Sequence, residues 1–114
     1  VADFRGKLSA KTSQWKDQIE RYRDQNKRIV IWGAGSKGVA FFTTIGLQNQ
    51  IRYAVDINPH RQGTFMAGTG QEIVSPDFLN HYRPDVVIVM NAVYKEEIGQ
   101  DLAARGLNPE ILTL

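Results

Sequence analysis

The sequence predicts an α/β fold: a parallel sheet of about five strands with helices on both faces, preceded by an amphipathic amino-terminal helix. Three observations predict it. Short apolar runs alternate with helical segments, which implies right-handed crossovers and parallel pairing. One run, Asp85-Val86-Val87-Ile88-Val89-Met90, is almost continuously apolar, as a strand buried on both faces must be. Finally, Gly33-x-Gly35-x-x-Gly38 stands directly between a predicted strand and a predicted helix.

Each element has its own signal. Leu8, Trp15, Ile19 and Tyr22 recur at helical spacing in a polar segment, so residues 9–25 read as the amphipathic helix. Residues 28–32 form a short apolar run that ends at glycine, a buried strand. Residues 36–47 carry Val39, Ala40, Phe42 and Ile45 on an apolar face, a helix packed on that strand. Phe41 and Phe42 are neighbours, so one of them is expected to point away and meet another domain. Residues 51–57 give the second strand, and Asn58-Pro59-His60-Arg61-Gln62-Gly63 gives a turn. Residues 64–70 read as a glycine-rich loop and 71–75 as a short third strand. Residues 76–82 make a short helix with Pro76 in its first turn. After the strand at 85–90, residues 95–105 form a helix with Ile98, Leu102 and Ala103 inward, stopped by Gly106 at a left-handed cap. Residues 111–114 close the sheet.

The glycine turn makes the fold Rossmann-like, because each glycine meets a separate demand. Gly33 permits the tight turn, Gly35 lets the backbone approach a ligand's phosphates, and Gly38 lets the helix lie close to the strand. Amides at the start of that helix carry the positive end of its dipole and favour an anion. Ser36 adds a hydroxyl and Lys37 a charge. Asp56 ends the second strand eighteen residues after Gly38, near the position at which dinucleotide folds keep an acid for ribose hydroxyls. The alternative is a turn whose glycines serve packing alone.

Asn58 and His60 follow the second strand, and Asn91 and Tyr94 follow the fourth, so all four should rim the crevice at the carboxyl ends of the strands. Asn91 and Tyr94 stand between two roles: contact with a base, ribose or sugar, and capping or plain exposure. His60 reads as a solvated loop residue, Trp15 and Trp32 as core, and Lys95-Glu96-Glu97 as a charged first turn. No nucleophile with an adjacent base is visible, so no catalytic residue is assigned.

The bulk properties exclude several classes. The chain has 114 residues, 42% hydrophobic and 23% charged, which suits one globular domain over 1–114. With no cysteine and only His60 and His81, neither disulfides nor a conventional zinc centre is expected, and no metal is predicted. A net charge of +2 with scattered basic residues offers no concentrated face for nucleic acid. No apolar run approaches the ~20 residues of a membrane span. With no signal peptide visible, the cytoplasm is the expected location. The opening Val1, in place of Met, fits a segment excised from a longer chain.

Taken together, Val30-Ile31-Trp32-Gly33-Ala34-Gly35-Ser36-Lys37-Gly38, Val55-Asp56-Ile57-Asn58-Pro59-His60, Gly68-Thr69-Gly70-Gln71, Ser75-Pro76, Pro84 to Asn91, Tyr94 to Ile98 and Leu107-Asn108-Pro109-Glu110 resemble a known family. It is the carboxy-terminal domain of the C-methyltransferases that act on nucleotide-linked deoxysugars. The resemblance implies a three-part parent chain: a zinc-binding segment, a methyltransferase core that uses S-adenosylmethionine, and this Rossmann-like domain. It also implies the chemistry, proton removal beside a sugar ketone followed by attack of the carbanion on the methyl group. Zinc, methyl donor and catalytic base would belong to the upstream parts. This domain would hold the nucleotide-sugar against the core and methylate nothing alone. Two other readings stay open: the NAD(P)-binding half of an oxidoreductase, and a non-catalytic interaction domain with a vacant site. Absence of a Tyr-x-x-x-Lys arrangement weighs against the oxidoreductase.

Overall fold

The computed structural model describes residues 2–45 and 50–114, with side chains from residue 12 onward. Its elements are α1 (Ala2–Asp24), β1 (Ile29–Trp32), α2 (Ser36–Ile45), β2 (Tyr53–Val55), β3 (Glu72–Val74), α3 (Leu79–Tyr82), β4 (Val86–Val89), α4 (Lys95–Ala104) and β5 (Glu110–Thr113). Short 3₁₀ turns at Pro76–Phe78 and Ala92–Tyr94 lead into α3 and α4.

All strands are parallel, in the order β3-β2-β1-β4-β5. From β1 the chain steps outward to β2 and β3, then crosses back to β4 on the opposite side. The order therefore reverses between β1 and β4, which opens a crevice at their carboxyl ends. Register brings Trp32, Val55 and Val89 level there.

Strand alternation builds two cores. Ile29, Ile31, Ala54, Val86 and Ile88 face one side, where Ile19 and Tyr22 of α1 and Phe41, Phe42 and Ile45 of α2 cover them. Val30, Val55, Val87 and Val89 face the other, under Leu79 of α3 and Ile98 and Leu102 of α4. All four residues of β4 are buried, as its sequence predicts. Each such side chain contributes about 1.5–3 kcal/mol by leaving water.

Several expectations change. The first helix starts at Ala2 rather than residue 9. It ends where Asn26 turns left-handed (φ 57°) and Lys27 N–H bonds Tyr22 O at 3.0 Å. The strands are shorter than their apolar runs, because residues at the run ends enter turns: Asp85 N–H, for example, bonds Arg28 O at 2.8 Å. Phe41 and Phe42 are both buried. Trp15 of α1 meets the Phe41 ring edge-on at 5.6 Å, so the amino-terminal helix, not another domain, covers it. Ala40 and Ala103 are exposed, since α2 and α4 are rotated to bury Phe41 and Leu102. Trp15 and Trp32 are only partly buried. Leu47 and the side chain of Leu8 lie outside the described residues. Gly106 takes the left-handed cap (φ 76°), with Leu107 N–H bonded to Leu102 O at 3.0 Å. Among the described residues no helix is long and apolar enough to cross a membrane.

Candidate functional site

The β1–α2 turn is fixed before any ligand arrives. Gly33 has φ +121°, a conformation that L side chains rarely adopt, and its N–H bonds Val55 O at 2.7 Å. At Gly38 an added Cβ would sit 2.4 Å from Gly33 O, so this glycine sets the helix against the turn. Gly35 differs. Only the Arg61 guanidinium comes within 4 Å of its would-be Cβ, and the nearest atom is 3.0 Å away. The first i→i−4 bond in this turn is Val39 N–H to Gly35 O. Amides of Ser36, Lys37 and Gly38 thus precede the helical ladder and carry its positive end.

Asp56 anchors the turn from the end of β2. Its Oδ2 accepts from Ala34 N–H at 3.4 Å and from Arg61 Nη1 at 3.4 Å, while Oδ1 accepts from Asn58 N–H at 2.9 Å. The carboxylate is largely buried, yet it borders the crevice.

Between these elements and α4 lies a cavity of about 740 Å³, within the size range of small-molecule sites. Gly33, Gly35, Ser36, Lys37, Gly38, Asp56, Asn91 and Tyr94 all line it. Asn58 does not. Its side chain folds back to accept from His60 N–H at 3.0 Å and shapes the following turn. Neither Asn58 nor His60 lines the cavity, contrary to the expectation that both rim the crevice. Asn91 does both things the sequence left open: its Oδ1 accepts from Val93 N–H at 3.2 Å, and it faces the cavity.

Sequence reasoning missed other lining residues. Ile57 lines the cavity and is 74% exposed, and Tyr94 lines it at 51%. Large apolar side chains left in water around one opening leave an apolar rim for whatever enters it. Glu97, Asp101 and Arg105 form an i, i+4, i+8 stripe of α4 facing the cavity. That spacing was visible, although Glu97 reads in isolation as a first-turn charge. Arg105 is held by Asp77 at 2.8 Å and Asp101 at 3.0 Å, hydrogen bonds that push its pKa up and keep it charged. Among the described residues no group of three or more His, Asp or Glu could hold a metal ion.

This strand order with this glycine turn defines a Rossmann-like fold. The chain matches the model of the C-methyltransferase C-terminal domain over residues 1–107 and belongs to that family. No curated protein sequence matches it. Among solved structures it resembles UDP-D-quinovosamine 4-dehydrogenase from Vibrio fischeri, with 25% identity, 77% of each chain covered and a TM-score of 0.60. It also resembles RSP, a Rex-family repressor, with 16% identity, 77% of this chain and 52% of that one, and a TM-score of 0.56. RSP in complex with β-NAD⁺ and operator DNA aligns with 16% identity over 77% of this chain and 49% of that one, TM-score 0.55. The repressor likeness is one of fold alone.

Proposed function

We propose that this is the substrate-holding, non-catalytic domain of a C-methyltransferase, and that it binds a nucleotide-linked sugar in the cavity between β1 and β4. One observation carries the reading. The cavity is walled at one end by the Gly33–Gly38 turn, whose free amides with Ser36 and Lys37 suit a diphosphate, and at its mouth by the apolar Ile57 and Tyr94. Phosphate oxygens would take the amide and Lys37 donors, Asp56 would accept from a ribose hydroxyl, and Asn91 and Tyr94 would contact base or sugar. A similar fold in a protein named for a UDP-linked sugar supports the ligand class.

S-adenosylmethionine, the methyl donor, would bind in an upstream core of the same longer chain, as membership of a C-methyltransferase C-terminal domain family suggests. Zinc would likewise belong to the upstream parts, as the family resemblance implies. Bound to the core, S-adenosylmethionine would supply the methyl group for a sugar carbon activated by loss of a proton; this domain would position the sugar.

A second reading is NAD binding, favoured by Asp56 at the end of β2. Calorimetry with a thymidine-diphosphate sugar, NAD and S-adenosylmethionine separates the possibilities. The thymidine-diphosphate sugar is expected to bind best. Preferential NAD binding that is lost in Asp56→Asn would overturn the proposal, and silence from every ligand would leave an interaction domain.

A further inference from the structure

Arg61 lies in a turn that the sequence marks only as irregular, yet the fold carries it onto the glycine turn. Arg61 N–H bonds Asn58 O at 3.0 Å, and Thr64 N–H bonds Arg61 O at 3.2 Å. Gln62 Nε2 bonds Asp56 O at 2.8 Å, and Gly63 N–H bonds Ile73 O at 2.9 Å. The backbone that presents the side chain is therefore fixed to β2 and β3. Its guanidinium overlies Gly35, 3.0 Å from where a Cβ would stand. Gly35 has no left-handed φ and no backbone neighbour that would forbid a side chain. What its missing side chain leaves open is the approach now bordered by Arg61.

That guanidinium is under-used. Among the described residues its hydrogen-bonding partner is Asp56 Oδ2, at a long 3.4 Å, and its side chain is 47% exposed. The same oxygen is shared with Ala34 N–H. A planar fork of five donors can form two parallel bonds to one phosphate, which Lys37 as a point charge cannot. Gly35 and Ser36 border both the main cavity and a shallower groove beside Arg61, so an anion lying across the turn meets amides on one side and the guanidinium on the other.

We infer that Arg61 is a specificity-determining residue of this site, selecting phosphorylated ligands by turning from Asp56 onto a phosphate group at Gly35. The inference rests on the proposed binding of a phosphorylated ligand at the turn and names the side chain that enforces it. It also gives Asp56 a second task, holding Arg61 in place while the site waits.

The test uses the whole chain, with thymidine diphosphate, inorganic pyrophosphate and unphosphorylated thymidine as probes, in wild type, Arg61→Gln and Arg61→Lys. Arg61→Gln should bind both phosphorylated probes about tenfold or more weakly, with thymidine and the melting temperature unchanged. Arg61→Lys should fall between, keeping the charge without the fork. Equal affinity in Arg61→Gln, or tighter binding because a plug has been removed, overturns the inference. So does an equal loss for thymidine, which would indicate a structural part. If wild type binds pyrophosphate through Arg61 but gains nothing from a nucleoside, the nucleotide-sugar reading falls while the role of Arg61 stands. If wild type binds neither phosphorylated probe, both fall.

Discussion

The two ends of one sheet are finished in opposite ways. At the amino end the protein's own groups pair with one another around β1 and β4. Arg28 N–H bonds Asp85 Oδ2 at 2.8 Å, Arg28 Nη1 bonds Tyr82 O at 2.7 Å, and the guanidinium lies over the Tyr82 ring. Tyr53, Phe78 and Tyr82 pack on one another with ring centroids 4.7 to 5.7 Å apart. At the carboxyl end the β1–α2 turn lines a cavity, and Ile57, Val93 and Tyr94 stand in water. The same sheet thus has a packed aromatic cluster at one end and an open crevice at the other. The difference lies in how side chains are used: at one end the rings pack on one another, and at the other Ile57 and Tyr94 stand in water beside a glycine turn.

Substitutions can break this contrast, and the largest effect is expected at Gly38. Gly38→Ala drives a methyl to 2.4 Å from a backbone oxygen that cannot move without the turn. A loss of about 3 kcal/mol is expected in urea unfolding; a change under about 0.5 kcal/mol would mean that the helix can shift freely. Asp85→Ala removes the acceptor for Arg28 N–H at the amino end. About 1 kcal/mol should be lost, with ligand affinity unaltered, because this end faces away from the cavity.

A third effect concerns pH. Burial, ahead of the opposing Arg28 charge, raises the Tyr82 pKa above 10.0. Burial first, then the bond to Glu110, raises that of Tyr22. A folded-state pKa above the unfolded one favours the protonated native form, so this contribution is complete below pH 10 and is lost as pH rises through the folded values. Melting temperature should therefore decline above pH 10, and Tyr82→Phe should flatten that decline. An identical slope in the variant would remove Tyr82 from the account. The smallest stability effect is expected at Gly35. Gly35→Val should shift unfolding by under about 1 kcal/mol, since only a mobile guanidinium must yield, yet it should abolish phosphate binding. Wholesale unfolding of Gly35→Val would show instead that this glycine serves packing.

Much of the fold was legible. The run at Val86–Val89 announced burial on both faces, and the glycine spacing located the start of α2 at Ser36. Asp56 was readable from its distance along the chain. Asn58 was misplaced because a short polar side chain after a strand can equally bond its own turn, and here it bonds His60 N–H. Arg61 was invisible for a related reason. Nothing in Asn58-Pro59-His60-Arg61-Gln62-Gly63 states that this turn folds over Gly35, some twenty-six residues earlier. The polar stripe of α4 had a visible period, but its direction depended on how that helix is rotated on β4 and β5.

Periodicity and glycine spacing act through local backbone geometry, so the chain alone determined a parallel α/β sheet, the turn after its first strand and an acid at the end of the second. Only the packed structure decided that α1 would cover Phe41, that Asn58 would turn inward on its own loop, that Arg61 would reach Gly35 and that the α4 stripe would face the crevice. Those outcomes depend on contacts between segments far apart in sequence, whose relative positions are set by how two cores close on one sheet.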